Sequence, residues 1–326
     1  MSAGEARPAR QATMADNLLP GGHDVPFAEI EVTLARIVRE GERRKRGPAR
    51  ALTATVIVVG KPERLVAAAD ALEQLNESGG VRAILISEGE HTAPVARVTE
   101  NAIAISGLAP RYLNNAVAAL RLSSLPAMVW WRGGSVEALD DLANLADRLV
   151  LDIAEPDAAW ARADTLFERT ALTDLRWTCL TRWRAALAHL FDLPHVRRGA
   201  GSTRSLTIEA RDVFAARLFA GWLKSQLRWT SAVRIEIHPV TSAKDDGPTP
   251  LAAVTLTGDA LAISLRVPPG HACLEATVDG AGTDPTARVV PLGDGTLRSL
   301  IGEELGVRTR DLAFEQALVT AREIPA

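Results

Sequence analysis

The stretch "VWWRGGSVEAL", Val129 to Leu139, runs from an apolar segment through an arginine and two glycines into a helical pattern. Backbone N–H groups at such a passage can hold an anion, which makes Gly133 and Gly134 candidates for a phosphate contact. The same residues also suit a tight turn between strand and helix. Other chemistry is harder to find. A dinucleotide site needs GxGxxG after the first strand, and "VVGKPERLVAA" supplies a single glycine. "GKPE" lacks the glycine-rich lead-in of a Walker loop. His23, His91, His189, His195, His238 and His271 stand apart, with no H-x-x-x-H pair. Cys179 and Cys273 form no CxxC, so no metal-ligand cluster is expected. GxSxG is missing, and the carboxylate pairs Asp140/Asp141 and Asp245/Asp246 read as solvated charge. These residues form no catalytic constellation, and neither a cofactor nor a metal is expected.

The tryptophans are the distinctive feature. Trp130, Trp131, Trp160, Trp177, Trp183, Trp222 and Trp229 all fall in the middle of the chain, several beside arginine, as in "WWR", "LRWT" and "TRWR". Trp and Arg are enriched at protein–protein hot spots, because a large ring desolvates well and a guanidinium stacks on it or grips a carboxylate. The competing reading is core. Trp183 shares a helical face with Leu180, Leu187, Leu190 and Phe191, and Trp222 belongs with Phe219 on an amphipathic helix. Neighbours in a strand point to opposite faces, so Trp130 and Trp131 need cover on both sides, from a helix, another domain or a partner.

The elements that must position these residues follow from periodicity. "FAEIEVTLARIVRE" is an amphipathic helix, and "GERRKRGPAR" is a basic connector. "ALTATVIVVG", "PERLVAAADALEQLNESGG" and "VRAILIS" form a β-α-β unit. "VARVTE" and "AIAISG" suggest a hairpin, and a helix opened by Pro110 leads to the strand "AMVWW". Ser135 is positioned to cap the next helix, and "DRLVLDIA" is a further strand. Residues 155–194 read as a helical bridge broken near Leu172 to Asp174. Beyond it come "TRSLTIEA", a helix over "DVFAARLFAGWLKSQLRW", four strands joined by turn-rich stretches, and two closing helices. The expected fold is an α/β N-terminal domain with a mostly parallel sheet covered by helices, followed by an α+β C-terminal domain with a mainly antiparallel sheet. The expected divisions are a mobile N-terminus at 1–26, helix and basic linker at 27–48, α/β domain at 49–170, helical bridge at 171–201 and α+β domain at 202–326.

Composition narrows the function classes. The 326 residues are 47% hydrophobic and 24% charged, values of a globular chain rather than a disordered one. With 37 basic against 40 acidic residues there is no basic footprint of a nucleic-acid binder. No apolar run approaches the ~20 residues of a membrane span, and two distant cysteines fit a reducing cytoplasm.

"LSSLPAMVWWRGG" and "ALTDLRWTCLTRWRAALAHLFDLP" together resemble the two signature stretches of the glucose-6-phosphate dehydrogenase assembly protein family, OpcA. The resemblance runs from about Leu52 to about Trp229 and is less clear from about Ser202. Matching residues are Pro126, Trp130, Trp131 and Arg132, then Asp174, Leu175, Trp177, Thr178, Leu180, Thr181, Trp183 and Arg184. Arg176, Cys179 and Arg182 depart from the pattern. The resemblance implies a non-catalytic factor that binds glucose-6-phosphate dehydrogenase, promotes its active oligomer and raises its activity. Trp130, Trp131, Arg132, Asp174, Trp177, Arg182, Trp183 and Arg184 are then the candidate partner-interface residues. A sugar-phosphate or nucleotide enzyme with an anion site at Gly133/Gly134 is the alternative.

Overall fold

The computed structural model describes residues 18–44, 51–77, 80–91, 94–229, 233–241, 249–259, 261–280, 286–307 and 309–325. Residues 1–17 of the expected mobile N-terminus, 45–48 of the basic linker, and Asp245/Asp246 lie outside them. The chain divides into two compact units, Met1–Leu145 and Ala146–Ala326, whereas the sequence pattern ends the α/β domain at residue 170.

In the first unit the described strands are β1 (His23–Val25), β2 (Ala54–Gly60), β3 (Val81–His91), β4 (Val95–Val98), β5 (Ala102–Leu108) and β6 (Ala127–Trp131). They lie in the order β1-β4-β5-β3-β2-β6. β2 runs parallel to β3 and β6, and β3 parallel to β5. β4 is the expected antiparallel partner of β5. The Val/Ile run of β2 is buried at every position, as a strand covered on both faces must be. The helices are α1 (Ile30–Arg44), α2 (Pro62–Asn76), α3 (Leu113–Leu120) and α4 (Ala138–Ala143). Pro62 opens α2 where a missing N–H is harmless. The helix buries Leu65, Ala68, Ala71 and Leu72 along one stripe.

Two details differ from the sequence reading. Leu18 and Leu19 are buried and β1 pairs with β4, so residues 18–26 are held against the sheet rather than forming a mobile end. A three-residue strand is too short for its alternation to register in the sequence. The helix expected to start at Ser135 begins at Ala138, and the Ser135 hydroxyl donates to Glu137 Oε2 at 2.6 Å instead of capping it.

The second unit opens with β7 (Arg148–Leu151) and β8 (Ala171–Asp174), a parallel pair. Between them lie α5 (Asp157–Trp160) and α6 (Ala163–Phe167). The expected break in a helical bridge at Leu172–Asp174 is thus a buried strand. Four residues between helical patterns are too few to display a period of two. Then follow α7 (Leu175–Cys179), α8 (Thr181–Phe191), α9 (Pro194–Gly199), β9 (Thr203–Ala210), α10 (Val213–Gln226) and β10 (Arg234–Pro239). β10 is parallel to β9, because α10 carries the chain back over the sheet.

The rest is antiparallel: β11 (Leu251–Gly258), β12 (Leu261–Arg266), β13 (Cys273–Gly280) and β14 (Thr286–Pro291), with α11 (Leu297–Gly306) and α12 (Leu312–Ala321) closing the chain. The sequence pattern does not predict β14. The strand order is β10-β9-β11-β12-β13-β14. Leu206, Ile208, Val254, Leu256, Ile263, Leu265, Leu274 and Ala276 fill one face of this sheet. α10 packs closely on α12, where a Cβ on Gly221 would lie 2.4 Å from the Ala317 carbonyl oxygen. The fold class is the expected one, an α/β region followed by an α+β region.

Candidate functional site

The two tryptophan–arginine segments singled out by the sequence each lie at a defined place in their unit. In the first unit, β2 and β6 are adjacent parallel strands, and β2 lies between β3 and β6. The crevice beyond the carboxyl ends of such strands, where the connections diverge, is where doubly wound sheets take ligands. Here it is occupied by the protein. Arg132 is 7% exposed and its Nη1 donates to the Arg64 carbonyl at 2.7 Å. Its guanidinium lies 4.8 Å from the centre of the Trp130 ring. A Cβ on Gly60 would sit 3.1 Å from the Arg132 Cβ, so glycine at the end of β2 makes room for this arginine.

The Gly133–Gly134 turn is filled too. Both glycines have positive φ, 141° and 124°, which L side chains rarely adopt. The Glu88 carboxylate, at the end of β3, lies against Gly134 and accepts a hydrogen bond from the Ser135 N–H at 3.2 Å. Burial raises the Glu88 pKa, and the Ser135 N–H partly offsets it. An internal carboxylate therefore stands where an external anion would have met the turn. With only six residues, α4 adds little dipole behind it. Trp130 and Trp131 are 0% and 1% exposed, so both belong to the interior.

The second segment is a hub of charge and hydrogen bonds. Asp174 ends β8 and caps α7, its Oδ1 accepting from the Arg176 N–H at 3.0 Å. Its Oδ2 accepts from Trp160 Nε1 at 3.0 Å. Arg176 Nη1 lies 3.3 Å from Asp174 Oδ1, and its Nε donates to Asp212 Oδ2 at 2.7 Å. Asp212 in turn caps α10 by accepting from Phe214 and Ala215 N–H. The Arg176 Nη2 donates to the Ile153 and Ala154 carbonyls. One guanidinium thus ties together two helix N-termini and the loop after β7. Burial pushes the Asp174 carboxyl above its usual range, against the opposing pull of Arg176. Burial works against the Arg176 charge, yet Asp174 and Asp212 outweigh it and hold its pKa up.

The same segment reaches α11 and α12. Trp177 Nε1 donates to Asp311 Oδ2 at 2.8 Å, and Asp311 caps α12. Thr178 donates to Glu304 Oε1 at 2.5 Å, and Arg148 Nη1 to Glu304 Oε2 at 3.0 Å. Arg184 stacks 3.5 Å from the Trp177 ring centre and donates to the Trp177 carbonyl. Burial lowers its pKa to about 10. Trp183 is fully buried and donates to Thr249. Of the eight candidate interface residues, only Arg182 is exposed. Asp174, Trp177 and Arg184 are brought together with Arg176, Asp212, Glu304 and Asp311, none of which the sequence marks as a site residue. Asp212 and Asp311 each precede an apolar helical run, and that is the cap signal by which they could have been found.

A cavity of about 220 Å³ opens beside this hub, lined by Cys179, Arg182, His271, Asp294 and Glu303 among others. Burial, then Asp174, Asp152 and Asp212, push the Cys179 thiol up to about 12, so it is protonated and poorly nucleophilic at neutral pH. Among the described residues no group of His, Cys, Asp and Glu could hold a metal ion, and no helix is long and apolar enough to cross a membrane.

The protein is thus an α/β plus α+β chain whose strand-end crevice is closed by its own Arg132 and Glu88, with its most distinctive segment spent on internal ties. Residues 170–318 match the family model for the C-terminal domain of the OpcA-type glucose-6-phosphate dehydrogenase subunit, and the chain belongs to the OpcA family. It is 28% identical over 156 residues to an OxPP cycle protein OpcA of Nostoc punctiforme, covering 44% of this chain and 32% of that one. A second OpcA, from a Synechocystis species, is 29% identical over 128 residues, 36% of this chain and 27% of that one. The matched segments span about a third or less of these curated relatives. The transcriptional regulator Gal80p of Kluyveromyces lactis superposes with a TM-score of 0.50 at 10% identity, covering 88% of this chain and 93% of that one. That likeness concerns the fold alone.

Proposed function

We propose that this protein is a non-catalytic accessory factor that binds glucose-6-phosphate dehydrogenase in the cytoplasm, favours its active oligomer and raises its rate of NADPH production. Family membership supports the partner. The observation that supports the absence of catalysis is the filled crevice, where Arg132 hydrogen-bonds the Arg64 carbonyl and Glu88 lies against Gly134. Activation then needs differential affinity: the factor must bind the active form of the enzyme more tightly than the inactive one. A tenfold shift in population requires ~1.4 kcal/mol of difference.

The test is to titrate glucose-6-phosphate dehydrogenase from the same cell with the purified protein, following NADPH formation and enzyme size together. A saturable rise in rate with a shift in size is expected. No complex and no change in rate at micromolar concentration would remove this reading. Turnover of a sugar phosphate by the protein alone would favour the enzyme reading at Gly133/Gly134, which the Glu88 carboxylate opposes.

A further inference from the structure

The candidate interface residues are mostly interior, so the surface that meets a partner has to be sought elsewhere. The sheet of the second unit buries one face and leaves the other open. On the open face the strand register aligns Glu236, Thr207, Thr255, Ser264, Thr277 and Ala287 in one row across all six strands. None of these residues is buried. Between the outer strands the row holds only small side chains, and five of its six members are uncharged.

Charge lies in the flanking rows. There Arg266 pairs with Glu275 at 2.9 Å, and Arg234 reaches Glu236 in the central row at 3.3 Å. Both arginines of the face are thereby engaged. Glu209 on β9 and Asp279 on β13 are exposed and have no ion pair among the described residues. They stand at opposite corners of the small-residue band. Six strands spaced ~4.8 Å apart and three side-chain rows ~7 Å apart give roughly 600 Å² in projection. Side chains make the accessible area larger, so the face is of the order of the ~800 Å² each partner contributes to a stable complex. An interface centre depleted of charge with a charged rim has the anatomy of a protein contact.

We propose that this open face is where the chain docks its protein partner, and that the partner presents small side chains flanked by arginine or lysine opposite Glu209 and Asp279. The proposal rests on the accessory-factor reading above. A second copy of this chain fits poorly, since two such faces would bring four unpaired carboxylates together with no free cation among the described residues of the face to meet them.

The test uses the full chain and glucose-6-phosphate dehydrogenase from the same cell, with affinity measured at low and physiological salt. Thr255→Arg, placed in the middle of the band, should weaken binding by at least ~30-fold. Glu209→Lys combined with Asp279→Lys should weaken it by at least ~10-fold at low salt, with the loss shrinking as salt rises. Thr255→Ser should bind as the wild type does. Thermal midpoints establish that each variant is folded. Should Thr255→Arg unfold the chain, the double lysine variant at its exposed positions carries the test. Binding within ~2-fold of wild type in the folded variants would overturn this inference and leave the accessory role standing. A wild type that forms no complex would overturn both. Loss of self-association in the variants, seen by sedimentation of the chain alone, would make the occupant a second copy and overturn the partner proposed here.

Discussion

Trp130–Gly134 and Asp174–Arg184 are built from the same residue types, yet they work at different ranges. In the first, Arg132 settles within its own neighbourhood, on the Arg64 carbonyl and the Trp130 ring, and closes a crevice. In the second, side chains reach 36, 126 and 134 residues along the chain to Asp212, Glu304 and Asp311. Two of these, Asp212 and Asp311, cap helices, and the third is itself inside one. The long, spaced pattern of the second segment therefore records how many distant elements it must satisfy together. A distinctive Trp–Arg sequence can be a set of internal ties rather than an exposed hot spot.

The largest effect should come from cutting that hub. Asp174→Ala leaves the Arg176 guanidinium short of its most buried partner and removes the cap of α7, which should cost about 3–5 kcal/mol. Urea unfolding of the purified variant measures it. Asp174→Asn keeps an acceptor for the Arg176 N–H and should lose less. Gly134→Ala comes next, at about 1–3 kcal/mol, because φ is 124° and the new methyl would press on the Glu88 carboxylate. Arg132→Ala, losing one buried hydrogen bond and a stacking contact, should cost about 1–2 kcal/mol. Were Arg132→Ala to exceed Asp174→Ala, the contrast between a local filler and a long-range hub would collapse. Arg182→Ala, at an exposed position, should stay within about 0.5 kcal/mol.

Much of the fold could be read from the sequence because runs such as Ala54–Gly60 and stripes such as Leu65–Leu72 carry their periodicity locally. What escaped were elements too short to show a period, β1 and β8, and the edge strand β14, whose residues alternate weakly. The parallel register of β10 on β9 escaped as well, since turn-rich neighbours pointed to hairpins. The site was less legible for a different reason. The residue type of Arg132 or Arg184 is visible in the sequence, but its partner is not. Whether a guanidinium is spent inside or left free depends on carbonyls and carboxylates that only the fold brings near. Arg176, a departure from the family pattern, turns out to hold the centre of the hub.

The smallest effect separates the two regions by pH. Burial raises the folded-state pKa of Glu88, so between the ordinary carboxylate value of 4.5 and that raised value the folded chain binds more proton than the unfolded one. Stability attributable to this group therefore falls as pH rises through that window and is level above it. Glu88→Gln removes the titration while its amide oxygen can still accept from the Ser135 N–H. The variant should match the wild type at about pH 4 and be equal or slightly more stable at pH 7, with thermal midpoints diverging as pH increases. A Gln variant that is clearly less stable at pH 7 would mean that the Glu88 charge itself holds the Gly133–Gly134 turn. The first segment would then resemble the second, with an ionised carboxylate as its organising group rather than a buried arginine filling space.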